Sequence, residues 1–162
     1  MNVYIANDHG GYQLKNALID HFTPMGYHFI DMGSDSGEIV RYPYYAEKVA
    51  RAVQNDPEGR GILICSTGIG MSIVANKFKG IRAALCTDTY MAKMTRKHND
   101  SNILCLGGQV IGNLEAYDIV DIWLTSEFEG GRHCISLGLL AEAEDALLGA
   151  QDQTGSVMTP GK

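Results

Sequence analysis

No stretch of this sequence approaches the roughly 20 apolar residues that cross a bilayer as a helix. The opening Met1-Asn-Val-Tyr-Ile-Ala-Asn lacks the charged start and long apolar segment of a secretory signal. These absences set the expectation of a cytoplasmic protein with no membrane contact. Positive charge is scarce as well. Thirteen Lys and Arg against 19 Asp and Glu leave a net charge of −6, with no basic, aromatic-interleaved run, so nucleic acid is not an expected partner and a small polar metabolite is. The four cysteines, Cys65, Cys86, Cys105 and Cys134, contain no C-x-x-C pair, and His133 beside Cys134 points the other way, so neither disulfides nor a bound metal is expected.

What is present suits a folded domain. The chain has 162 residues, 45% hydrophobic and 20% charged, an ordinary globular balance for a single domain over residues 1–150. The segment Gln151–Lys162 is polar, holds Gly and Pro, lacks apolar periodicity, and reads as a disordered tail.

Short β-branched runs alternate with amphipathic segments along the rest. Strands are expected at Val3–Ala6, His28–Asp31, Gly61–Ile64, Arg82–Cys86 and Asn102–Leu106. Between them, helical spacing links Leu14, Ala17, Leu18 and Phe22, and again Ala46, Val49, Ala50 and Val53 behind Tyr42-Pro43. Further helices are expected at Ser72–Phe78, Tyr90–Lys97, Leu114–Leu124 and Ile135–Leu148. This alternation predicts a doubly wound five-stranded parallel sheet with helices on both faces, whose ligand sits outside the carboxyl ends of the strands. Asp8 and His9, Cys65 to Gly70, Asp88 and Gly107-Gly108 occupy those ends. His98-Asn99 falls at the opposite end, which suggests partners from a second chain.

The segment Gly61-Ile-Leu-Ile-Cys65-Ser66-Thr67-Gly68-Ile69-Gly70-Met71 is the most telling. It sends an apolar strand into a cysteine, a glycine-broken turn and a helix start, where N–H groups without intrahelical acceptors favour negative charge on a sulfur or a nearby oxygen. Competing readings fail on position. A dinucleotide fingerprint needs glycine where Ile73 stands, a C-x5-R phosphatase needs arginine where Met71 stands, and a phosphoryl-accepting receiver needs aspartate where Cys65 stands. Taken alone, Cys86 and Cys105 read as small buried hydrophobes, and His21 and His28 carry no chemistry.

The motifs Asp8-His9-Gly10-Gly11, Tyr42-Pro43, Ile64-Cys65-Ser66-Thr67-Gly68-Ile69-Gly70-Met71-Ser72, Ala75-Asn76-Lys77, His98-Asn99-Asp100 and Gly130-Gly131-Arg132-His133 together resemble the ribose-5-phosphate isomerase B and galactose-6-phosphate isomerase family of sugar-phosphate isomerases. The resemblance runs to about Leu148 and implies the same doubly wound fold. It implies interconversion of an aldose and a ketose through a cis-enediolate, ribose 5-phosphate and ribulose 5-phosphate being the default pair. Cys65 corresponds to the family's base, Thr67 to a residue that hydrogen-bonds the enediolate, His98 to the ring-opening histidine, and Asp8 to a group at the ring oxygen or hydroxyls. Ser66, Gly68, Ile69, Gly70 and Met71 form the anion-binding turn, while His9, Tyr42 and Asn99 hold substrate. No cofactor is implied, and a homodimer is, the tetramer being left open.

The departures concern the phosphate. Family members that bind it place three arginines at positions that here read Gln109, Arg132 and Ser136. Losing two bidentate guanidinium forks predicts weaker phosphate binding. Arg41 and His133 are candidate replacements, and the alternatives are another tetrose, pentose or hexose derivative, without phosphate in one version, or a non-catalytic sugar-binding subunit.

Overall fold

The computed structural model describes residues 1–153, so most of the expected tail, 154–162, lies outside the described residues. The described chain divides into two units, Met1–Glu129 and a second beginning at Gly130.

The first unit is built on five strands: β1 (Asn2–Asn7), β2 (His28–Asp31), β3 (Arg60–Cys65), β4 (Ala83–Leu85) and β5 (Ile103–Gly107). All pairings are parallel, in the order β2-β1-β3-β5-β4. The central strands read as continuous apolar runs because both of their faces are covered. Val3, Ile5, Ile62, Ile64, Leu104 and Leu106 face one core, shared with α1 (Tyr12–Phe22) and α5 (Asn113–Thr125). Ala6, Leu63, Cys65, Ile103 and Cys105 face the other, shared with α2 (Tyr42–Asn55) and α3 (Ile69–Ala75). The fifth helix of the unit, α4 (Thr89–Asn99), contributes Ala92 to the first core. The expected doubly wound sheet is therefore present. The chain passes from β1 outward to β2 and then to β3 on β1's other side, so the strand order reverses between β1 and β3, and the crevice for a ligand opens there.

Most elements of the first unit lie within a residue or two of their expected ends; local hydrogen bonding explains the shifts of two, the third helix and the fourth strand. The third helix begins three residues early because Gly68, at φ +76°, lets the chain turn in immediately and receive Ser72 N–H at its carbonyl (3.1 Å). It ends early because Asn76 turns its side chain outward, donating to the Ser72 and Ala83 carbonyls and accepting Ala83 N–H at 2.9 Å. That same amide holds the outer edge of β4, which is shorter than expected because Arg82 N–H goes to the Asn102 side chain (2.8 Å) and leaves the ladder.

In the second unit, Gly130 and Gly131 adopt φ +64° and +58°, and His133 and Cys134 N–H groups return to their carbonyls at 3.1 Å each, starting α6 (Arg132–Gln153). This helix starts three residues earlier than expected and runs past Leu148 into the first residues of the segment read as a tail. Ile135, Leu139, Leu140 and Leu147 are exposed along it.

Candidate active site

Three turns leave the carboxyl ends of β1, β3 and β5 and meet. Asp8 extends the β1–β3 pairing by one residue, its N–H reaching the Ile64 carbonyl at 3.1 Å, immediately before Cys65. After β5, Gly108 N–H donates to the Cys65 carbonyl (2.8 Å) and Gln109 N–H to the Ser66 carbonyl (3.1 Å). Glycine is required at these contacts: a Cβ on Gly108 would stand 2.5 Å from the Gly10 carbonyl oxygen, and one on Gly10 would overlap Ser66.

Within this junction the thiol turn has a defined geometry. Cys65 is 5% exposed, and its Sγ accepts the Gly68 N–H at 3.0 Å. Ile69 N–H goes to Thr67 Oγ1 at 3.3 Å, and the N–H groups of Gly70 and Met71 open α3 with no preceding turn to accept them. The short helix contributes these N–H donors more than a dipole. Thr67 itself is exposed on this turn. The buried thiols of Cys86 and Cys105 are different in kind. Burial pushes Cys86 up to about 12, with the Asp88 charge adding to it, and burial holds Cys105 well above the ordinary thiol range. Both stay neutral core residues, as expected.

Asp8 and His9 stand beside the thiol turn. Asp8 is 5% exposed, one carboxylate oxygen accepting Gly10 N–H at 2.9 Å, the other 4.0 Å from His9 Nδ1. Tyr42 opens α2 and lays its ring on the thiol turn so closely that a Cβ on Gly70 would lie 2.9 Å from two ring carbons. Arg41 precedes it, exposed and without a capping bond, and Gln109 is exposed beyond β5.

The structure thus brings together Asp8, His9, Tyr42, Cys65, Ser66, Thr67, Gly68, Ile69, Gly70, Met71 and Gln109. It does not bring His98 and Asn99 to them. They form the last turn of α4, near the start of β5, where the Asn99 carbonyl accepts Arg82 Nε at 3.0 Å and His98 Nε2 lies 4.0 Å from Glu129. Cys65 pairs with Gly107 at the other end of that strand, about 13 Å away along four residues. Arg132, His133 and Ser136 lie on the first two turns of α6, in the second unit.

Sequence reasoning passed over Asn7 and Lys15. Asn7 is fully buried at the end of β1. Lys15 is 1% exposed on α1, and its Nζ donates to Asp31 (2.7 Å) and to the Ser34 carbonyl (3.0 Å), tying down the segment after β2. The available signal was a polar residue closing an apolar strand and a lysine inside an apolar stripe.

Comparison with known proteins agrees with this construction. The family model for "Ribose/Galactose Isomerase" matches residues 3–138. The chain is 48% identical over 126 residues to ribose-5-phosphate isomerase B of Escherichia coli K12, covering 78% of this chain and 85% of that one. Among solved structures, ribose-5-phosphate isomerase B of Clostridium thermocellum superposes with a TM-score of 0.89 at 51% identity, covering 91% of this chain and 99% of that one. The Mycoplasma genitalium ribose-5-phosphate isomerase B, solved with bound ribulose-5-phosphate, gives 0.86 at 36% identity, covering 89% and 96%. A cysteine-bearing glycine turn at the switch point of a five-stranded parallel sheet, matched over most of the chain's length, makes this chain a member of the ribose/galactose isomerase family.

Proposed function

We propose that the chain is a cofactor-free aldose–ketose isomerase of small sugar phosphates, with ribose 5-phosphate and ribulose 5-phosphate as its pair and Cys65 as its base. The observation that carries this reading is the Cys65 sulfur at the switch point, receiving the Gly68 N–H at 3.0 Å on a strand end to which the Asp8 backbone is bonded one residue earlier, at Ile64. With the sugar open, the Cys65 thiolate takes the proton from the carbon next to the carbonyl. The electron pair moves to the carbonyl oxygen and yields a cis-enediolate. The same sulfur returns the proton to the neighbouring carbon, while the hydroxyl proton crosses to the first oxygen. Gly70 and Met71 N–H groups are available to the developing oxyanion, a kind of contact whose removal typically costs 10²- to 10³-fold in rate. Thr67 holds the enediolate hydroxyls, and Asp8 and His9 bind and orient the sugar.

His98 and Asn99 lie at the wrong end of the sheet to serve Cys65 of their own chain, so the working unit is a homodimer in the cytoplasm in which a second copy supplies them for ring opening. The phosphate falls to Arg132, with His133 or Arg41 assisting, because Gln109 and Ser136 carry no charge. That neutral pair supports a second reading in which the reaction is kept and the preferred sugar differs at its far end. A purely sugar-binding role leaves the Cys65–Gly68 arrangement without use.

Purified protein is assayed against ribose 5-phosphate and a panel of phosphorylated and unphosphorylated aldoses, with Cys65→Ala as the control for contaminating isomerase. Turnover of ribose 5-phosphate that disappears in the variant is expected. Cys65-dependent turnover of another sugar alone moves the conclusion to the second reading, and none at all refutes both.

A further inference from the structure

Asn7 closes β1 with its side chain fully buried. Its orientation is fixed: Nδ2 donates to the Asp8 carbonyl at 2.8 Å, which leaves Oδ1 on the opposite side with no hydrogen-bond partner among the described residues. There Oδ1 presses against Gly33, where an added Cβ would overlap it. A buried acceptor left unmade is destabilising, and an apolar side chain of the same shape avoids that loss. An amide at this place is therefore poorly explained by stability, and the donor half of the group has to account for it.

The donor acts on Asp8. The Asp8 carbonyl receives Asn7 Nδ2 from one side and Gly11 N–H (3.1 Å) from the other, its N–H goes to Ile64, and its Oδ1 takes Gly10 N–H (2.9 Å). With the peptide plane held at every polar group, the one remaining direction is that of Oδ2, which lies 4.0 Å from His9 Nδ1. The Asn7 backbone also joins the segment after β2, its carbonyl accepting Ser34 N–H at 3.4 Å. From this geometry we infer that Asn7 is a positioning residue: it fixes the Asp8–His9 turn in the orientation that presents the Asp8 carboxylate to the sugar. The inference rests on the isomerase reading above, in which Asp8 contacts substrate.

Asn7→Leu keeps the shape and removes both halves of the amide, and Asn7→Ala repeats the test without any risk of overpacking. Kinetics with ribose 5-phosphate, melting temperature and backbone amide exchange are compared with the parent. The expected result is a melting temperature for Asn7→Leu at or above the parent's and a kcat/KM about tenfold lower. Exchange at Gly10 and Gly11 speeds up about tenfold, and that of β3 and β5 is unchanged. In an Asp8→Ala background the further loss on Asn7→Leu is expected to vanish, because a residue acting through Asp8 has nothing left to act on. Parent-like kcat/KM in both Asn7 variants, or full additivity with Asp8→Ala, overturns the inference and leaves the isomerase reading standing. An inactive parent sinks that reading instead, and the Gly10 and Gly11 exchange rates then decide whether Asn7 holds the turn.

Discussion

At the scale of single residues, the site depends on places where a side chain would not fit. Gly68 is the clearest. It sits at φ +76°, and a Cβ there would stand 2.6 Å from Leu85 Cδ1 and 2.9 Å from the Leu106 carbonyl carbon. Left-handed backbone costs a non-glycine residue roughly 1–2 kcal/mol before any clash. Gly68→Ala is therefore expected to lower the melting temperature by several degrees and, by moving the N–H that meets Cys65 Sγ, to lower kcat by more than about tenfold. A variant with the parent's kcat at a temperature where it is folded contradicts this role. The thiols make the complementary point. Cys65 and Cys86 close apolar runs and Cys105 lies within one, yet of the three only Cys65 has a backbone N–H aimed at its sulfur through the turn that follows. Cys86→Ala and Cys105→Ala should change stability and leave turnover intact below their melting points, as thermal scans and assays of the two variants can check.

At the scale of elements, strand and helix order was legible because apolar periodicity reports which faces are covered, and both faces of this sheet are. Boundaries were less legible where side chains replace backbone in capping and pairing. Counting apolar positions places the third helix at Ser72, but Gly68 starts it at Ile69 and Asn76 ends it by bonding to the Ser72 and Ala83 carbonyls. Such side-chain-to-backbone bonds have no periodic signature. Asp56 is another example. It joins the end of α2 to β1 by accepting Asn2 Nδ2 and the Tyr4 hydroxyl, at 2.9 Å each. Those two bonds, from Asn2 first and Tyr4 second, hold its carboxyl below the ordinary carboxylate range. A folded-state value below the unfolded one means stabilisation that is complete above the ordinary range and is lost as the pH falls through the lowered value. Asp56→Asn should thus be less stable than the parent near neutrality, with the difference shrinking toward pH 3. Melting temperatures across that interval check it, and a constant difference contradicts it.

At the scale of the whole molecule, the sequence announced the Asp8, Cys65 and Gly107 turns together, because strand order alone sends them to one end of a parallel sheet. It also placed His98 at the opposite end by the same counting, and the fold agrees. What counting along the chain could not supply was Asn7 and Lys15: Asn7 packs against Gly33 and accepts Ser34 N–H at its carbonyl, and Lys15 donates to Asp31 and to the Ser34 carbonyl, contacts at and after the end of β2 and distant in sequence from Cys65. On the dimer proposed above, this placement predicts a shared site. Equal mixing of Cys65→Ala and His98→Asn proteins should restore about a quarter of the parent's activity, since half the dimers are mixed and each carries one intact pocket. Absence of rescue after exchange of subunits is verified contradicts a shared site.

The central claim is that the Cys65 sulfur carries the proton. It is tested most directly by following solvent deuterium into the carbon next to the carbonyl of ribulose 5-phosphate in heavy water. The parent is expected to wash deuterium in during turnover, to the extent that the thiol proton exchanges with solvent before it is returned, and Cys65→Ser to lose both wash-in and isomerisation by several orders of magnitude while still binding the sugar. Deuterium entering at an undiminished rate in Cys65→Ser assigns the proton to another group and contradicts the account.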